Sequence, residues 1–148
     1  MTERPTIRRT RLGLAALLGG TGVLHLVARP TFEALIPKWI PGDPAVWNYA
    51  ATAAELGSAA LLARRSTARV GGIAAFATFA VVWVANLQHA VEGHIPGTRG
   101  AFAGPLTAWL RAPLQLPLLW WSWRVARETP RNVVINSDEI GRLGPSGS

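Results

Sequence analysis

The sequence contains no cysteine, which excludes disulfides, thiolate metal sites and thiol-based redox steps. Charge is scarce as well: Asp, Glu, Lys and Arg make up 16% of the 148 residues, against about a quarter in a soluble domain. Acidic residues are the rarer sign, eight against fifteen basic ones, giving a formal charge of +7. A basic balance of that size can mark a chain that binds nucleic acid. Here the basic residues sit in short clusters at the ends of apolar runs, the arrangement of a membrane protein, and no nucleic-acid partner is expected.

The apolar runs cover residues 12–28, 45–63, 70–91 and 106–123. The first and third carry no formal charge, the second only Glu55 and the fourth only Arg111. Each approaches the roughly 20 residues that cross about 30 Å of hydrocarbon. A soluble four-helix bundle needs a charged outer face on every helix, and these runs have none. The expected fold is an all-α integral membrane protein with a four-helix transmembrane bundle, preceded by a basic segment 1–11 and followed by a polar, disordered tail 128–148. The closing "GPSGS" lies in that tail and enters no argument.

Arginine placement orients the bundle. Arg4, Arg8, Arg9 and Arg11 precede the first run, Arg64, Arg65 and Arg69 join the second to the third, and Arg124, Arg127 and Arg131 follow the fourth. The other two loops hold Arg29, Lys38 and Arg99 against Glu33, Asp43 and Glu92. The positive-inside rule puts both termini in the cytoplasm. Trp39, Trp47 and Trp109 then fall near one boundary and Trp120, Trp121 and Trp123 near the other, as an aromatic belt does. A competing reading takes "IRRTRLGLAALL" as a twin-arginine export signal, but no small-x-small cleavage pattern follows it.

The loop "RPTFEALIPKWIPGDPAVW" has prolines at 30, 37, 41 and 44 with Phe32, Leu35, Ile36, Trp39 and Ile40 between them. Such an amphipathic segment is expected to lie in the outer interface or to fold back over the bundle. The second outer loop, "EGHIPGTRGAFAGP", is Gly- and Pro-rich and is expected to be mobile.

Polar residues interrupt each run on one stripe. Thr21 and His25 are four apart; Asn48, Thr52 and Glu55 follow a 0, 4, 7 spacing; Asn86 and His89 are three apart; Arg111, Gln115 and Ser122 follow 0, 4, 11. At these spacings each set shares one helix face. At 1.5 Å per residue His25 and His89 lie about 3–5 Å from the outer ends, Asn86 and Arg111 about 8–9 Å, and Glu55 and Gln115 roughly 14 Å. Together they describe a polar pit open to the outer face with Glu55 at its floor. An unpaired carboxyl there would keep its proton, so an Arg111–Glu55 ion pair is expected, braced by Gln115 and Asn86. Pro113 and Pro117 free the carbonyls of Trp109 and Pro113 as further acceptors. Against this stands the plainer reading that such groups only hold helices together, at roughly 0.6 kcal/mol each. That reading suits Thr21, Thr52, Gln88 and Ser122 better than it suits Glu55 with Arg111.

The order of these features resembles the DoxX-like family of small membrane proteins. The likeness rests on Gly22 to His25 in the first run, Pro37 to Pro41 in the loop, Glu55, Ala85-Asn86, and Arg111, Pro113 and Gln115, and covers about residues 12–127. Val84 departs from it, since many relatives have proline before Ala-Asn. The resemblance implies a four-helix inner-membrane protein with a loose link to quinone chemistry: relatives include the membrane subunit of a thiosulfate:quinone oxidoreductase, and others assist assembly of membrane or redox complexes. It fixes no activity.

Three functions compete on these residues. One is an accessory or assembly subunit that contacts another membrane or exported protein, or a second copy of itself. Another is a site for a quinone or similar small molecule, lined by His25, Glu55, Asn86, His89, Arg111 and Gln115, with Glu55 relaying a proton. In the third, His25 and His89 hold haem as an axial pair or join Glu55 around a divalent ion. Transport lacks an inverted repeat or a second charged pathway.

Overall fold

A computed structural model describes residues 3–99 and 103–129 of the chain. Every regular element among them is helical: α1 (Pro5–Val27), a short α2 (Arg29–Ala34), α3 (Pro44–Ala63), α4 (Ala68–Glu92) and α5 (Pro105–Glu128), with a single 3-10 turn (Arg65–Thr67) leading into α4. Pro5, Pro44 and Pro105 open three of the helices. Proline suits that position, because its missing N–H would be unpaired in the first turn anyway. The Asp43 side chain caps α3 by accepting from the Ala45 N–H at 2.8 Å. Gly93, at φ 72°, ends α4 in the left-handed region that favours glycine.

α1 packs along α3 and α4 along α5, and contacts between α3 and α4 and between α1 and α5 close the ring. α3 and α5 lie across the ring, with no Cα pair within 8 Å among the described residues. Two adjacent glycines let α4 approach both neighbours. A Cβ on Gly71 would sit 2.7 Å from the Leu62 backbone nitrogen on α3, and one on Gly72 would sit 2.7 Å from that of Ala126 on α5. Such backbone-to-backbone approach is what small residues permit between helices.

The apolar core lies toward the arginine-bearing end of the ring, where Leu14, Leu18, Leu62, Ala68, Ala75, Phe79 and Val125 form one buried cluster. Toward the other end, which carries the two longer loops, the buried side chains turn polar: Asn48, Thr52, Glu55, Asn86, His89 and Gln115. The outer surface is the reverse. Leu24, Val27, Val70, Val81, Val84, Leu110, Leu114 and Leu116 are all exposed.

Three helices begin and end within a few residues of the runs read from hydropathy. The exception is α1, which starts at Pro5, inside the segment 1–11 that was expected to precede the bundle. Arg11 lies inside this early part of the helix. Expected to flank a span, it is instead 4% exposed, donates to the backbone carbonyl of Leu62 at the end of α3, and pairs with Glu3 at 3.0 Å. Two helical stretches, Pro5–Val27 and Arg65–Glu92, are long and apolar enough by themselves to cross a membrane. The tail beyond Thr129, "GPSGS" included, lies outside the described residues.

Candidate functional site

The site forms where α1 ends and α3 begins. Asn48, in the second turn of α3, makes two bonds to one residue of α1. Its amide nitrogen donates to the backbone carbonyl of His25 at 3.1 Å, and its Oδ1 lies 2.7 Å from His25 Nδ1. The ring is thereby turned so that Nε2 faces Glu55 Oε1, at 3.6 Å. Thr21, one turn before His25, donates its hydroxyl to the Leu17 carbonyl of its own helix at 3.1 Å.

This pairing replaces the expected Arg111–Glu55 ion pair. No carboxylate lies within 4.0 Å of Arg111 among the described residues, because α5 stands across the ring from α3. Glu55 meets a side chain from the adjacent helix instead. Arg111 lies near His89, on the α4–α5 side. The residues named from sequence thus fall into two groups: His25 with Glu55, and Asn86, His89, Arg111 and Gln115 on the other pair of helices.

Burial is nearly complete at the centre. Glu55, Asn86 and His89 are 6%, 4% and 2% exposed. Among the described residues four buried side-chain atoms have no hydrogen-bond partner, Thr129 Oγ1 at the end of α5 and three toward this end of the ring: Glu55 Oε2, His89 Nδ1 and Gln115 Oε1. An unpaired buried polar atom typically costs about 1–3 kcal/mol, so these mark where another molecule would be welcome. Among the described residues no three His, Cys, Asp or Glu side chains converge, so His25, His89 and Glu55 do not form a three-ligand metal centre.

The expected open pit has a roof. The Phe32 ring of α2 stacks on the His25 ring with centroids 3.9 Å apart, and the backbone carbonyl of Leu35 faces His89. Arg29 holds α2 down: it pairs with Glu33, donates to the Tyr49 hydroxyl at 3.1 Å and lies over that ring. Glu33 at its side makes the guanidinium hold its proton more tightly than usual. Farther along, the Trp39 indole donates to Gln88 Oε1 at 2.6 Å and Gln88 in turn donates to Glu92. The loop between α4 and α5 also packs down, with Gly97, at φ 74°, set against Thr31 and Ala34. Of the two expectations for the Pro-rich loop, folding back over the bundle is the one realised.

α5 runs through both of its interior prolines, and the Trp83 indole of α4 donates to the Ala112 carbonyl at 3.0 Å. Thr52 and Ser122 each donate to the carbonyl one turn earlier in their own helix, not across to a neighbouring helix. Sequence reasoning passed over Asn48 as a site residue, and over Phe32 and Trp83 altogether as partners. Asn48 had a usable signal: it heads the stripe that ends in Glu55.

The fold and site define a helical protein with an enclosed polar centre and an apolar exterior. The chain belongs to the family described as Domain of unknown function (DUF8561), whose model matches residues 14–126. No curated protein and no solved structure matches it.

Proposed function

We propose that this is a multi-pass protein of the inner (plasma) membrane, with α1, α3, α4 and α5 spanning the bilayer, both termini cytoplasmic, and a centre at the outer end that binds a small polar molecule. Support for the membrane comes from the inverted distribution of side chains. Soluble proteins bury Leu and Val and expose Asn, Glu and Gln; this chain does the opposite over its loop-end half. In the two stretches long enough to span, only 22% and 28% of the apolar window is buried, unlike the core helix of a soluble protein.

The observation that carries the ligand is the trio of unpartnered buried atoms on Glu55, His89 and Gln115. Polar groups that only clasp helices together would be paired with one another. The DoxX-like order of motifs makes a quinone head group the first candidate, with His25, Glu55, Asn86, His89, Arg111 and Gln115 around it. Titrating a water-soluble quinone analogue into the purified protein tests this, since Trp83 and Trp39 are placed to report binding by fluorescence. Saturable quenching with a rise in melting temperature is expected; neither signal at millimolar analogue rejects the reading.

A second reading, an accessory or assembly subunit, draws on the outward face of α3. Ala53 is exposed and a Cβ on Gly57 would meet nothing within 4 Å, so a partner helix has room to approach. Under it a membrane protein co-purifies from native lipid, and Ala at Glu55 lowers protein level with no ligand to lose.

A further inference from the structure

We infer that His25 and Glu55 hold one proton between them as a unit, and that Asn48 makes them do so by fixing the imidazole tautomer. The inference concerns the proposed ligand site but rests on hydrogen-bond geometry alone, and it stands or falls without any ligand.

The argument begins at Asn48. Its side-chain nitrogen donates to the His25 carbonyl at 3.1 Å, and a carbonyl can only accept. The amide is therefore anchored with nitrogen toward the backbone and Oδ1 toward the ring. Flipping it would set Oδ1 against that carbonyl, two acceptors face to face. Oδ1 accepts as well, so His25 Nδ1, 2.7 Å away, must be the donor and carry hydrogen. In a neutral imidazole one nitrogen is protonated and the other bare. Nε2 is then the bare one, and it faces Glu55 Oε1 at 3.6 Å.

A bare ring nitrogen opposite an ionised carboxylate is an arrangement of two acceptors. Both side chains are nearly enclosed, at 13% and 8% exposure, so little water is available to separate them. One added proton resolves the contact, as imidazolium beside carboxylate or as carboxylic acid beside neutral imidazole. The two forms are isomers that differ in where one proton sits, and both leave the pair with no net charge. That suits an apolar surround, where an isolated charge costs on the order of 3 kcal/mol or more.

Among the described residues no other charged group compensates Glu55: Arg29 of α2 pairs with Glu33 and donates to the Tyr49 hydroxyl, and Arg111 stands on α5, across the ring from α3. Thr21 of α1 is neutral and its hydroxyl donates to the Leu17 carbonyl at 3.1 Å, Phe32 of α2 covers the ring face, and the one basic side chain within 4.0 Å of Glu55 among the described residues is His25.

The test uses the wild-type chain in lipid nanodiscs with no ligand added, labelled with nitrogen-15 histidine and carbon-13 glutamate, at pH 7.5. His25→Gln and Glu55→Gln serve only to assign the two signals. The expected result is a protonated Nδ1 together with one further proton on the pair, seen as an Nε2–H beside an ionised Glu55 or as a Glu55 carboxylic acid. A bare Nε2 beside an ionised Glu55 overturns the inference, and so does an Nε2–H ring with a bare Nδ1. Asn48→Leu adds a second readout: with the amide gone, the Nδ1–H form ceases to be the sole neutral tautomer. An unchanged tautomer in a folded Asn48→Leu protein removes the role given to Asn48. Quinone titration fails or succeeds independently of all these signals.

Discussion

The guanidinium of Arg11, on α1, donates to the backbone carbonyl of Leu62, the second-last residue of α3. A charged side chain thus closes the end of a neighbouring helix, where carbonyls have no partner of their own, and Glu3 balances its charge.

Removing that group leaves Glu3 and the carbonyl without a partner. Arg11→Gln is expected to destabilise the protein by about 3 kcal/mol, the scale for breaking an enclosed ion pair. Arg9→Gln, at an exposed position one residue removed from it, is expected to stay within about 0.5 kcal/mol. Thermal unfolding in one detergent compares the two, and equal melting temperatures would contradict the role given to Arg11.

Two glycine substitutions are expected to differ sharply. In Gly72→Ala the new Cβ meets the Ala126 nitrogen at 2.7 Å and the Ser122 oxygen at 2.9 Å. Backbone cannot swing aside, so a cost of about 1–3 kcal/mol is expected. Gly57→Ala meets nothing within 4 Å and gains up to about 1 kcal/mol of helix propensity. Denaturation of the two variants against the wild type measures both signs.

Opening the roof should expose the ring beneath it. Phe32→Ala removes the stack on His25, worth about 0.5–1.5 kcal/mol, and is expected to speed acylation of His25 by diethyl pyrocarbonate while His89 remains slow. Mass spectrometry of the modified peptides follows each histidine. Unchanged reactivity of His25 would mean that α2 does not cover it.

The absence of cysteine makes the proposed topology directly testable. Single cysteines at Ser66 and at Thr98, on opposite ends of the ring, should be labelled by an impermeant maleimide from opposite sides of the membrane. With termini in the cytoplasm, Ser66→Cys reacts only in inside-out vesicles and Thr98→Cys only in right-side-out ones. The same side for both would overturn the four-span arrangement.

Much of this architecture is legible in the sequence because hydrophobicity and helical spacing are local signals. The stripe of Asn48, Thr52 and Glu55 is buried as its spacing says, and so are Asn86, His89 and Gln115. What periodicity cannot supply is the order of helices around the ring. Arg111 and Glu55 have opposite charge and similar depth, yet they stand on helices that lie across the ring from each other, while His25 and Glu55 stand on neighbouring ones. Arg11 was misleading for a related reason: a flanking arginine and a helix-closing one look alike until the neighbouring carbonyl is in place. The roof was half legible, since the apolar residues of the Pro-rich loop announced that it lies against something.

Chain order gives the roof a schedule. Everything that sets the His25 ring, from Asn48 to Glu55, belongs to the first helical hairpin and leaves the ribosome early. Gln88, which holds Trp39, arrives only with the next helix. Synthesis runs from the N-terminus, and early segments can settle before later ones exist. The histidine, its carboxyl and the Phe32 cover, held by Arg29 on Tyr49, thus arrive as one early segment, and only the outer latch at Trp39 waits for the next helix.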